Sequence, residues 1–154
     1  MANQRPFKLT RRGVLATAGG AVACLALRPA HATPETMRAA MRAFAGEVEP
    51  RRGRVKLDLP PLVENGNSVT YTVTVDCPMT ERDFVRRIAI FNEKNPQPNV
   101  AVFHLSPRNG RASVSSRMRL ADSQVIVVLA ELSDGSVWQG SAEVVVTLAA
   151  CVEG

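Results

Sequence analysis

From Ser68 to Val75 the chain alternates without a break. Val69, Tyr71, Val73 and Val75 are apolar, and Ser68, Thr70, Thr72 and Thr74 between them carry hydroxyls. A period of two puts every apolar side chain on one face only if the segment is a β-strand. A helix would spread the same residues around its circumference. Branching at Cβ in both the valines and the threonines points the same way. One face of this strand must be buried and the other wetted, so the chain has to supply a second layer to cover it.

The covering material reads as more strands. Val55, Leu57 and Leu59 alternate before Pro60-Pro61, and Asn65-Gly66-Asn67 is a turn signal. Val85, Ile88, Ile90 and Phe91 mark a strand that ends at the polar, proline-bearing loop NEKNPQPN. Residues 100–105, VAVFHL, follow, then Ala112 to Leu120. The run QVIVVLAEL, 124–132, is apolar almost throughout, which predicts a central strand covered on both faces. Ser133-Asp134-Gly135-Ser136 turns the chain, Val137-Trp138 opens the next segment, and Ala142 to Leu148 forms the last strand. About seven short strands with regular turns predict an all-β fold, an immunoglobulin-like β-sandwich, with a barrel as the alternative. Ahead of them, Thr33-Pro34-Glu35 is a helix start. Met37, Ala40, Met41 and Phe44 form one apolar stripe, and Gly46 is the stop.

The first 32 residues have a different character. A basic stretch, RPFKLTRR, precedes the apolar run VLATAGGAVACLAL, and Ala30-His31-Ala32 fits small-residue cleavage before Thr33. Thr10-Arg11-Arg12-Gly13-Val14-Leu15 places twin arginines at the head of that run, so the expected leader is of Tat type and the expected location a bacterial periplasm. The run is too short to span a membrane. Cys24 belongs to it. The organisation that follows is a leader, 1–32; a helix and linker, 33–50; a β-sandwich domain, 51–148; and a C-terminal cysteine arm, 149–154. The leader also explains the net charge of +5. Arg5, Lys8, Arg11, Arg12 and Arg28 precede residue 33, where no acid stands. The remaining 14 basic residues face 14 acidic ones. A balanced domain offers no footprint for nucleic acid.

Catalytic constellations are sparse. His104 is the mature chain's one histidine, expected as a strand residue with a satisfied hydrogen bond, and it cannot build a histidine metal site. No phosphate loop, GxSxG or HExxH occurs. Arg51-Arg52-Gly53-Arg54 reads as a solvated linker, Trp138 as core packing, and Asn95-Pro96-Gln97-Pro98 as a stiff loop with no particular signal. No catalytic residue, metal or cofactor is expected. Two thiols remain. Cys77, at a strand end before Pro78, reads as a small buried cysteine. Cys151 immediately follows the last strand, where access favours thiolate chemistry. The two could bond to each other, and Cys151 could also pair with a second copy in a disulfide homodimer.

The segments KLDLPPLVENGNSVTYTVTVDCPMT, NPQPNVAVFHLSP and GRASVSSRMRLADSQVIVVLAELSDGSVW, together with the terminal cysteine, resemble the SoxY family, sulfur-carrier subunits of bacterial thiosulfate oxidation. The resemblance covers essentially the whole chain. It implies that Cys151 is the covalent attachment point for sulfur and that the chain is a carrier rather than an enzyme. It also implies the partners: a SoxZ-like small β-sandwich subunit, a c-type cytochrome, a manganese hydrolase and a molybdenum–haem dehydrogenase. The family's closing pattern is Gly-Gly-Cys-Gly-Gly, whereas here Ala149-Ala150-Cys151-Val152-Glu153-Gly154 stands. Alanine and valine restrict an arm that glycine frees, and Glu153 puts negative charge beside the sulfur. A slower carrier, or a structural paralogue that has lost the carrier role, is the expected consequence. Serine is the usual family residue at the position of Cys77.

Overall fold

The computed structural model describes residues 32–150. The chain runs α1 (Pro34–Ala45), β1 (Arg51–Arg52), β2 (Val55–Asp58), β3 (Leu62–Val63), β4 (Val69–Val75), β5 (Val85–Asn92), β6 (Asn99–His104), a 3-10 turn (Pro107–Asn109), β7 (Ser113–Met118), β8 (Gln124–Leu132) and β9 (Val137–Val146). Two sheets face each other. One has the order β1-β9-β8-β5-β6, with β3 also paired to β9. The other is β2-β4-β7. The architecture is the immunoglobulin-like sandwich, not a closed barrel, with one short helix ahead of it.

The alternating strand behaves as its period demands. In β4, Val69, Tyr71, Val73 and Val75 are buried, while Thr70 and Thr74 are exposed and Thr72 is half-buried. Its neighbour β7 pairs Thr72 with Ser115 and Thr74 with Ser113, and the Thr72 and Ser115 hydroxyls meet at 2.8 Å. The inner face joins Ile88, Ile90, Leu120, Ile126, Val128 and Val144 in one core. Each such side chain contributes about 1.5–3 kcal/mol on burial.

β8 lies between β9 and β5 and is covered on both sides, as its unbroken apolar run requires. The second cover is α1. Met37, Ala40, Met41 and Phe44 pack on Ala89, Phe91, Val127 and Leu129. Thr33 caps the helix by accepting the Thr36 N–H at 3.2 Å. At its other end Arg87 lies 4.4 Å over the Phe44 ring and donates to the Phe44 carbonyl, while also pairing with Glu131.

Four expectations change. Arg51 and Arg52 are not linker; they form a short edge strand parallel to β9, paired with Trp138 and Gln139. Residues 137–148 do not split, because β9 is one strand of 10 residues. Trp138 is half-buried rather than fully in the core, with Arg54 5.0 Å above its ring and its indole N–H donating to Ser136. β3 is additional: two residues after Pro60-Pro61 are too few to carry a period.

Candidate functional site

The segment leading to Cys151 is fastened to one end of the sandwich. β3 pairs in parallel with the end of β9, Leu62 against Val145 and Val63 against Val146. The pairing continues past both strands. Val145 N–H donates to Pro61 O at 2.9 Å, Thr147 N–H to Val63 O at 3.0 Å, and Gly66 N–H to Leu148 O at 2.8 Å. Leu120 N–H then donates to Gly66 O at 2.8 Å, and Ala150 N–H to Leu120 O at 3.0 Å. Ala150 is only 5% exposed. This is a backbone clasp, and its tightest point explains a glycine. A Cβ on Gly66 would run into the Leu120 carbonyl oxygen and stand 2.9 Å from the Ala150 nitrogen. The sequence reading treats Asn65-Gly66-Asn67 as a turn and misses this close approach.

The same end is braced by the proline-bearing loop. Asn92, at 1% exposure, donates to Gln97 O and accepts the Asn95 N–H. Asn95 donates to Arg119 O at 2.8 Å and accepts from Ala121 N–H and Gln124 Nε2, both at 3.0 Å. Residues 119–124 are thereby held in place, and among them is Leu120, whose carbonyl receives Ala150. Lys94 pairs with Asp122 at 3.0 Å, and its hydrogen bond holds the Asp122 carboxyl below the usual carboxylate range. Sequence reasoning gave this loop no role. Its one available signal was an asparagine before proline between two strands, which is common in turns that only turn.

Cys77 lies at the opposite end. It is half-buried rather than buried, with its Sγ 3.6 Å from Asp83 Oδ1. It lines an open groove of about 580 Å³ together with Arg54, Lys56, Asp76 and Arg111. Burial, with help from the Asp83 charge, pushes its thiol up from the ordinary value, so the thiolate is disfavoured. β4 spans the distance between the two ends. Val69 pairs with Met118 near Leu120, and Thr74 pairs with Ser113 near Cys77. Five residue steps of a strand are roughly 17 Å. A disulfide needs Cα atoms within about 7 Å, and one peptide from Ala150 adds only about 3.8 Å. While the clasp holds, a Cys77–Cys151 bond within one chain is out of reach.

Cys151 itself, with the rest of the arm after Ala150, lies outside the described residues, as does the leader up to residue 31. His104 ends β6 and is exposed. Among the described residues no three His, Cys, Asp or Glu side chains gather as metal ligands, and no helix is long and apolar enough to cross a membrane.

The described residues define an immunoglobulin-like sandwich that clasps, at one end, the segment ending at Ala150. Comparison with known proteins gives the family. Residues 41–151 match the family described as sulfur oxidation protein SoxY, and the chain belongs to the SoxY family. The sulfur carrier protein SoxY from Chlorobium limicola f thiosulfatophilum superposes with a TM-score of 0.63 at 29% identity, over 75% of this chain and 100% of that one. The fold is shared more widely. A superoxide reductase (neelaredoxin) from Ignicoccus hospitalis gives a TM-score of 0.54 at 18% identity, over 75% of this chain and 94% of that one. A putative superoxide reductase from Thermotoga maritima gives 0.52 at 20%, over 64% and 87%. At those identities the likeness is one of fold alone. No curated protein sequence matches the chain.

Proposed function

We propose that this protein is a covalent sulfur carrier. Cys151 takes up thiosulfate-derived sulfur and presents it to partner enzymes of sulfur oxidation in the periplasm, after export by the Tat-type leader. The observation that carries the reading is the clasp at Ala150. Within a SoxY-family sandwich, the whole end built by β3, the 119–124 turn and the Asn95 loop serves to hold the residue that precedes Cys151.

The chemistry asks little of the carrier beyond an accessible thiol. Loading joins the sulfane sulfur of thiosulfate to Cys151. The products are a cysteine S-thiosulfonate, one proton and two electrons, and a c-type cytochrome partner accepts the electrons. Water then cleaves the terminal S–S bond at a manganese hydrolase, releasing sulfate and one proton and leaving a cysteine persulfide. A molybdenum–haem dehydrogenase oxidises the remaining sulfane. A SoxZ-like subunit completes the carrier. The chain itself needs no cofactor and turns over nothing alone.

Intact mass spectrometry of the periplasmic protein from thiosulfate-grown cells tests this, with and without reductant, beside Cys151→Ser. Reductant-labile sulfur adducts that vanish in the variant support the carrier. An unmodified mass would leave a structural SoxY-type sandwich that has lost the role.

A further inference from the structure

We propose that the groove at the Cys77 end of the sandwich binds a divalent oxyanion of the sulfate and thiosulfate type, held by Arg54, Lys56 and Arg111. The site is built without Cys151. Only the choice of sulfur oxyanions as its ligands rests on the carrier reading above.

The three-stranded sheet assembles the site. Lys56 is the register partner of Thr74, and Thr74 of Ser113, so the three form one row across β2, β4 and β7. The Thr74 and Ser113 hydroxyls lie 3.5 Å apart. A second row follows just past the paired residues. Asp76 N–H donates to Arg54 O at 2.8 Å and Val75 N–H to Ala112 O at 2.9 Å, which carries the register on and sets Asp76 between Arg54 and Arg111. A period of two puts both rows on the same outer face of the sheet. All six residues line the groove of about 580 Å³.

Charge then selects the ligand. Asp76 is the one carboxylate among the lining residues, so three positive charges meet one negative and two remain in excess. None of the three cations forms an ion pair among the described residues, whereas Arg38, Arg86, Arg87 and Lys94 each do. Because 14 basic and 14 acidic residues balance after residue 32, the excess is local. Arg54 is half-buried and stacks over Trp138 at 5.0 Å, a contact that uses the face of its guanidinium and not the N–H edge. Guanidinium forks fit the oxygens of an oxyanion in pairs, and hydroxyls donate to the same oxygens. Two excess charges match a divalent anion. Lys56 and Arg111 are exposed, so solvent screens them and the affinity is weak, in the millimolar range. Sulfate and thiosulfate are the divalent oxyanions that the proposed sulfur chemistry releases and consumes.

The test follows amide NMR spectra of the full mature chain, titrated with sodium sulfate and with sodium thiosulfate at pH 7. Sodium chloride is withdrawn in step to hold the ionic strength constant. Saturable shifts centred on the amides of Lys56, Thr74, Arg111 and Ser113 are the expected result. Lys56→Gln/Arg111→Gln should weaken the fitted affinity about fivefold or more, and Asp76→Asn, which removes the opposing charge, should tighten it about twofold or more. The second variant separates an anion site from damage to the fold, since damage does not improve binding. Shifts that grow linearly to the highest concentration, spread evenly over the surface or centre elsewhere overturn the site, as does an affinity that neither variant alters. Binding is read without loading of Cys151, so an unmodified Cys151 in cells would sink the carrier reading and leave this site standing.

Discussion

Replacing Gly66 by alanine should loosen the segment that holds Cys151, and the size of the effect follows from the clasp. The added methyl meets two backbone groups, the Leu120 carbonyl oxygen and, at 2.9 Å, the Ala150 nitrogen. Neither is the end of a flexible side chain, so the backbone itself must move. Overpacking of this kind costs about 1–3 kcal/mol. The Ala150 N–H to Leu120 O bond lies directly in the way, and losing it costs a further ~1 kcal/mol. The two are not additive, because breaking the bond relieves the crowding. The expected destabilisation is about 2 kcal/mol, or roughly 5–10 °C in Tm for a domain of this size. Urea unfolding gives the stability, and amide hydrogen exchange at Ala150 gives the location. Gly110→Ala is the control. Gly110 has φ +70° with open space around its Cβ position, so its cost is about 1 kcal/mol of local strain and leaves Ala150 protected. A Gly66→Ala protein with native stability and an unchanged Ala150 exchange rate would refute the clasp.

Asn95→Ala removes the acceptor of Ala121 N–H and Gln124 Nε2 and the donor to Arg119 O, which should cost about 2–3 kcal/mol and speed exchange at Ala121. An unfolding midpoint equal to the parent's would show that the loop is not a brace. Arg87→Ala loses its stacking on Phe44 and its pairing with Glu131. Discounted for partial exposure, the cost is about 1–2 kcal/mol, and exchange should rise first at the C-terminal turn of α1. The Cys77 thiol is raised, so the folded state favours its protonated form. Its contribution to stability is present below the unfolded thiol's pKa and lost as pH rises through the folded one. Alkylation of Cys77 should therefore lag behind that of a free cysteine at neutral pH, and Asp83→Asn should quicken it. A rate matching free cysteine at pH 7 would contradict that. Peptide mapping of the oxidised monomer should show no Cys77–Cys151 bond. Finding that bond in quantity would mean the clasp opens.

Much of the fold was legible in the residues, for a physical reason. A half-buried strand such as β4 must alternate, and a doubly covered strand such as β8 must be apolar throughout. An amphipathic helix such as α1 must repeat its stripe at helical spacing and needs a cap such as Thr33. These are local requirements, and sequence states local requirements directly. It failed where partners are remote. Arg51 and Arg52 resemble any charged linker until β9 lies alongside them. Leu62 and Val63 are too short to show a period, and Gly66 looks like any turn glycine.

The sequence by itself determined which residues face inward, that the fold is a two-layer β-sandwich with a helix, and which family pattern the chain follows. It also made Cys151 the expected attachment point for sulfur. Only the tertiary structure decided what surrounds the root of that cysteine. The clasp joins residues 61–66, 119–121 and 145–150, three segments far apart along the chain. The opposite ends of β4 separate Cys77 from Ala150, and the parallel pairing of β3 with β9 closes the clasp. Backbone carbonyls and amides make these joins, every residue type carries them, and so no side-chain pattern announces where they will meet.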